Sequence, residues 1–406
     1  FGKMGGAYND DYMAAIEDAL LLNCDAVNLS LGSGVPGRSY GSTAYIDGIF
    51  DSLVGCDTVI SISAGNNSHW AENNYANDEG LNFAEDVSQQ TGGTPGAYTN
   101  SFTVASAVNS GITGKGGNFE GITVVGTNPG SHPEDMKDWG ELDTTADYSG
   151  TTYEYVFLGD PTNQDDTVKY GGEGAFEGLD VAGKVVLISR GGGVSFYQKQ
   201  DYAQAAGAAA AVIYNNANGS ISMDLSDSSS QIPCVSILQT DASKILAVSS
   251  KQESGMMGGK VTICNKVQIS AHPDGYTMSD FSSWGTTGNL AIKPEITAPG
   301  GNIYSTLTDG AYGLMSGTSM AAPSIAGQSA LVAQYIRENN LTEKTGLSAR
   351  TLGLSLLMST AVPLTDPASN LPFSVRHQGA GLASAARAVE SPAYILMDEN
   401  ATVCAA

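Results

Sequence analysis

Basic residues are scarce in this chain: 18 Lys and Arg stand against 42 Asp and Glu in 406 residues, a formal net charge of −24. So acidic a surface repels phosphate backbones and anionic headgroups, which excludes nucleic acid and an anionic membrane as partners. It favours solubility, with a mild bias toward basic substrates. Long apolar runs are also missing. The most apolar stretch, around Ala205–Tyr214, is too short to cross a bilayer. Cysteine is sparse, at positions 24, 56, 234, 264 and 404, and no two form a C-x-x-C pair. A zinc ribbon and a thioredoxin-type site are therefore excluded. Cys24 and Cys56 close apolar helical segments and read as buried thiols. Cys234 and Cys264 fall in one region and are candidates for a bridge. No acidic loop has the recognisable ligand spacing of a calcium site, so no cofactor is indicated, while structural calcium stays open.

Glycine is abundant, with 50 residues, alongside many Asn, Ser and Thr. That is the texture of a loop-rich extracellular protein, secreted or attached to a cell wall. The length suits two or three domains with cores that need no disulfide or metal.

The first hundred residues alternate helical and buried-strand patterns. Asn9 or Asp10 is positioned to cap a helix whose apolar side is Met13, Ile16, Leu20 and Cys24. Asp25–Leu31 reads as a strand, Ile46, Ile49, Phe50 and Leu53 as one helix face, and Thr58–Ser63 and Ser101–Ala107 as further strands. This rhythm predicts an α/β fold with a parallel sheet between helices over residues 1–111. From Ile112 the texture changes to Gly, Thr and Asp. A compact unit follows: strand Gly183–Ser189, an Arg190-Gly-Gly-Gly turn, a helix over Phe196–Ala206, then strands Ala210–Tyr214 and Ile232–Ile237. In that order these elements resemble the protease-associated domain, which implies a binding or substrate-gating module, mainly β or α+β, inserted over 112–269. The α/β texture returns over 270–390, with a last helix near Ala383–Val389. Residues 391–406 begin a strand-like run that reads as the start of a following β domain or a linker.

The segment Met315-Ser-Gly-Thr-Ser-Met-Ala-Ala-Pro323 carries chemistry. A serine hydroxyl attacks a carbonyl only if a base takes its proton and donors hold the oxyanion. Ser319 at the first turn of a helix aims backbone N–H groups and the positive dipole end at that oxyanion. Gly317 permits close approach of a substrate. Pro323 is expected early enough in the helix for its missing N–H to cost little.

This string resembles the nucleophile motif of subtilisin-like serine proteases, and two further segments support the resemblance in the family's order. Ser63-Ala-Gly-Asn66 matches the oxyanion segment, which implies that the Asn66 amide donates to the tetrahedral intermediate. Asn28-Leu-Ser-Leu-Gly32 matches the strand beside the extended substrate. The resemblance thus implies Ser319 as nucleophile, Asn66 as oxyanion donor and Thr318 in a minor role on the nucleophile loop. Ser30, Leu31, Gly32, Ala64 and Gly65 are the implied substrate-binding residues. Phe281-Ser-Ser-Trp-Gly285, Lys293-Pro-Glu-Ile-Thr-Ala-Pro-Gly300 and His377-Gln-Gly-Ala-Gly381 resemble further family segments. The inserted unit points to the cell-envelope branch, with lactocepins and C5a peptidases.

The family's triad runs Asp, His, Ser along the chain. Neither an Asp-Thr/Ser-Gly strand nor a His-Gly-Thr-His helix occurs here, and the four histidines, His69, His132, His272 and His377, all come too late. His69 is close to Asn66 in sequence, and the others read as loop or surface residues. Phe1-Gly-Lys-Met resembles the strand after the histidine helix. The expectation is an N-terminal segment or separate chain that carries the Asp and His, with this chain inactive alone. Expected substrates are proteins or peptides. A peptide-binding pseudoprotease is the alternative, and an α/β-hydrolase esterase is disfavoured because Gly317-Thr-Ser-Met-Ala321 is not G-x-S-x-G.

Overall fold

The structure, a computed structural model, describes residues 8–32, 43–68, 91–127, 137–217, 219–221, 223–272, 274–287, 291–307 and 310–396. His69, His132 and Cys404 lie outside the described residues. The chain divides into two compact units, one of residues 1–109, 276–301 and 316–406, the other of 110–275 and 302–315.

The first unit is built on four parallel strands in the order Ala26–Leu29, Val59–Ser63, Phe102–Val108, Ile296–Gly301. Their apolar residues point to alternate faces, as the two-residue period requires. Ile60 and Ile62 pack with Leu29 against Tyr12 and Ile16 of helix Asn9–Leu21 and Ile46 and Phe50 of helix Thr43–Ser52. Val59, Phe102, Val104, Ile296 and Ala298 pack instead on helices Thr318–Glu338, Ala349–Ser359 and Ala385–Glu390. Both faces are covered, which is why these strands read as continuous apolar runs. The helix start differs from expectation. Tyr8 holds the cap position in extended conformation, and the Asp11 carboxylate accepts its N–H at 3.4 Å. Asn9 is already helical and accepts the Tyr12 hydroxyl instead.

The second unit is a mixed sheet. Ile122–Gly126, Gly111–Phe119, Met257–Ala271 and Thr151–Phe157 pair antiparallel, and Val185–Ser189, Ala210–Tyr214 and Cys234–Ile237 continue in parallel. A reciprocal pair, Thr127 N–H to Ser236 O (3.0 Å) and Ser236 N–H to Thr127 O (2.7 Å), joins the two ends of this order. Helices Phe196–Ala205 and Gln239–Val248 pack on it. The first starts with a full capping box, in which Ser195 Oγ receives the Gln198 N–H and the Gln198 side chain receives the Ser195 N–H.

Cys234 and Cys264 are not bridged. Both are free thiols, on strands that are not neighbours in the sheet. Cys24 and Cys56 are half-buried rather than buried, because each lies just past the last turn of its helix. Residues 391–396 form neither helix nor strand, and 397–406 lie outside the described residues.

Candidate active site

Helix Thr318–Glu338 begins at Thr318, so Ser319 sits in its first turn, where backbone N–H groups lack helical acceptors. Among the described residues the Ser319 N–H and hydroxyl have no hydrogen-bond partner, and the side chain is half-buried. A strand end holds the turn in place. Gly317 N–H donates to Gly300 O at 2.9 Å. A Cβ at Gly300 would lie 2.5 Å from Ser106 Oγ and 2.6 Å from Gly317 O, so only glycine permits this approach.

Asn66 follows the Val59–Ser63 strand, and its amide orientation is determined by its neighbours. Its Oδ1 accepts the Thr318 N–H at 2.9 Å and the Thr318 hydroxyl at 2.9 Å. The Thr318 hydroxyl in turn accepts the Gly65 N–H at 3.1 Å, which leaves its proton for Asn66. Two donors therefore face Oδ1, and Nδ2 is turned away from them as a free donor. It lies 3.3 Å from where a Gly317 side chain would begin, so Gly317 keeps the space beside it open. A free amide N–H and the Ser319 N–H at one helix start form the donor set that an oxyanion needs.

Gly65 has φ +105°, and a Cβ there would meet Ser283 Oγ at 2.9 Å. Ser283 braces this turn: its N–H donates to Gly65 O at 3.0 Å, and its Oγ accepts the Asn67 N–H at 3.0 Å. The Phe281–Gly285 segment therefore supports the Asn66 turn, a role that its motif alone did not disclose. Of the remaining residues singled out from sequence, Ala64 is buried and its N–H bonds Val104 O. Ser30 Oγ donates to the Ser319 carbonyl at 2.6 Å. Leu31 O accepts the Ser63 hydroxyl at 2.9 Å, and Gly32 is exposed with open space about its Cα. The structure thus brings Ser30, Gly65, Asn66, Thr318 and Ser319 into one bonded group.

Three expectations need correction. Pro323 is the sixth helical residue, and in an unbroken helix its N–H would meet Ser319 O, so its absence does free an acceptor inside the helix. His377 is buried, stacks on Trp284 at 4.1 Å and approaches Ser282 O through Nε2 at 3.2 Å. His272 is buried too; its Nδ1 accepts the Asp274 N–H, and burial pushes its pKa down. Neither is a surface residue, because each ring fills core space and hydrogen-bonds main chain. A further group had no signal in the sequence: Lys293 and Glu295 form a fully buried ion pair that also holds Ser101 O and the Thr103 N–H. It lies within the Lys293–Gly300 motif and ties that segment to the adjacent strand. Among the described residues no His, Cys, Asp or Glu cluster suits a metal ion.

A zinc aminopeptidase from Bacillus subtilis resembles 44% of the chain and 33% of its own at TM-score 0.26 and 20% identity, too slight a likeness to carry an argument. The chain is 30% identical over 391 residues to a PII-type proteinase of Lactococcus lactis subsp. cremoris, covering 93% of this chain and 19% of that protein. It is 29% identical over 399 residues to the C5a peptidase of Streptococcus pyogenes serotype M3, covering 97% and 30%. The chain therefore spans less than a third of the relatives it matches. The model of the subtilase family matches residues 1–381, and with the Asn66–Thr318–Ser319 arrangement at the helix start the chain belongs to the subtilase family.

Proposed function

We propose that this protein is an extracellular serine endopeptidase, secreted or attached to the cell envelope, in which Ser319 is the nucleophile. Ser319 Oγ attacks the scissile carbonyl carbon while its proton passes to a histidine. The carbonyl oxygen gains the charge and is held by Asn66 Nδ2 and the Ser319 N–H. The C–N bond then breaks, the amine leaves with the proton, and water releases the acyl group from Ser319 by the same steps in reverse order. Leu31, Gly32, Ala64 and Gly65 line the peptide, and the second unit, read as a protease-associated domain, gates or binds substrate. One observation carries this reading: the orientation of the Asn66 amide by Thr318 and Gly65.

Of the histidines among the described residues, His377 is stacked in the core and His272 belongs to the second unit. The base and its orienting Asp are expected on an N-terminal segment or a separate chain, because neither an Asp-Thr/Ser-Gly strand nor a His-Gly-Thr-His helix occurs in the sequence, and the chain by itself is expected to be inactive. The test is labelling with a fluorophosphonate probe and cleavage of a casein-type substrate, with and without a polypeptide bearing the Asp strand and His helix. Labelling and cleavage only with that polypeptide, both lost in Ser319→Ala, are the expected result. Labelling that survives Ser319→Ala removes the claim, and peptide binding without cleavage in every form would make the protein a pseudoprotease.

A further inference from the structure

The nucleophile helix contains an acceptor that its own backbone cannot satisfy. Residue 323 of an α-helix donates to the carbonyl of residue 319. Proline has no N–H, and its ring crowds the carbonyl one turn back. The carbonyl that Pro323 orphans is that of Ser319 itself. The Ser30 hydroxyl, 289 residues away in sequence, donates to this oxygen at 2.6 Å. Asn28 Nδ2 donates to Ser30 Oγ at 3.0 Å, and of the two acceptors within reach of the Ser30 proton, Ser319 O at 2.6 Å is much nearer than Asn28 Oδ1 at 3.4 Å. One turn further on, Ser61 Oγ lies 3.0 Å from the Ala322 carbonyl, so two sheet hydroxyls grip this stretch of helix.

We infer that Ser30 is a positioning residue for the nucleophile: it makes the hydrogen bond that Pro323 cannot make. A carbonyl held by the helix's own second turn would follow the helix. Held by Ser30, it is tied to the end of the Ala26–Leu29 strand, so the backbone of Ser319 keeps one orientation relative to the sheet. The direction of the Ser319 Cα–Cβ bond, and hence of Oγ, follows from that backbone. This inference rests on Ser319 being the nucleophile.

The test is a double-mutant cycle in the complex with the segment that supplies Asp and His, using the unchanged protein, Ser30→Ala, Pro323→Ala and the pair, with Ser30→Thr as the conservative variant. Ser30→Ala is expected to lower kcat about tenfold, with KM within about twofold, because a tilted nucleophile loses near-attack geometry. Ser30→Thr keeps the hydroxyl and most of the rate. Pro323→Ala added to Ser30→Ala recovers most of the loss, since an N–H at position 323 meets the Ser319 carbonyl again. Thermal unfolding midpoints show the same non-additivity. An equal loss in both backgrounds overturns the proposal, and so does a raised KM with intact kcat, which would make Ser30 a substrate contact. If no protein labels with fluorophosphonate, the protease reading fails. The unfolding cycle then still decides whether Ser30 and Pro323 are linked, with additive midpoints sinking the link.

Discussion

The two units treat small residues differently. In the first, glycine occurs where backbone must approach backbone: Gly300 against Gly317 O, and Gly65 in a positive-φ turn under Ser283. Both positions serve the site. In the second, glycines lie within strands, where they ordinarily weaken a sheet. Gly117 and Gly126 face the buried Trp139, whose ring would lie 2.6 Å from a Cβ at either position. The indole takes the volume that two side chains would otherwise fill, and its Nε1 donates to Lys115 O at 3.0 Å. Gly300 and Gly65 in the first unit shape chemistry, whereas Gly117 and Gly126 in the second make room for one large residue.

The largest expected effect sharpens the first half of this comparison. Asn66→Ala removes the free amide donor and should lower kcat by about 10²–10³, the range that loss of the corresponding donor has in subtilisin itself. KM should change little, since the amide acts on the charged intermediate. Steady-state kinetics on the active complex give the answer. A KM increase with kcat preserved would reassign Asn66 to ground-state binding.

The next effect concerns stability in the second unit. Gly126→Val places methyl groups inside the Trp139 ring and should cost about 1–3 kcal/mol as overpacking, a loss of about 5 °C in its unfolding midpoint. Gly55→Ala is the control: its Cβ meets open space, and its φ lies outside the positive range. It lies in the first unit and should not lower that unit's midpoint. Equal effects of the two substitutions would remove the contrast between glycines that make room and glycines that do not.

The same contrast governs what the sequence discloses. Strands such as Thr58–Ser63 and Ala210–Tyr214 are legible because they are buried on both faces and read as apolar runs. Gly111–Phe119, sequence GITGKGGNF, is equally buried at most positions but has no apolar period, because its volume is filled by Trp139 twenty or more residues later. The fifteen-residue strand Met257–Ala271 is hard to read for another reason: a register shift between Cys264 and Val267 breaks its period, and beyond it the apolar Val267 and Ile269 are exposed. At the site, the nucleophile and oxyanion segments are legible because their chemistry depends on local strings. Ser30 with Ser319, and Ser283 with Gly65, are pairings across 289 and about 220 residues, which no local pattern records.

The smallest expected effect compares two buried lysines. Lys293 in the first unit has a carboxylate partner in Glu295, whereas Lys199 in the second, fully buried, donates to the carbonyls of Tyr170 and Gly191. Among the described residues no carboxylate lies within ion-pair distance of Lys199. Burial without a counter-charge penalises its ammonium and pushes its pKa down from 10.5 to about 8. Between pH 8 and 10.5 the unfolded chain therefore holds a proton at Lys199 that the folded unit does not. Raising the pH through this window favours folding; below it both states are charged and the penalty is complete. Cys234 and Tyr214, each pushed up to about 12 by burial, act in the opposite sense above pH 9 and 10. The Lys199 contribution is thus isolated as a difference from Lys199→Met, which fills the same slot without charge. The variant should be the more stable at pH 7, and its advantage should shrink steadily as pH rises to 10.5. Thermal unfolding followed by circular dichroism at pH 7, 8, 9 and 10.5 measures this. An advantage that is constant with pH would mean that Lys199 stays charged in the fold, and that its two carbonyl acceptors stabilise an ammonium as well as Glu295 does.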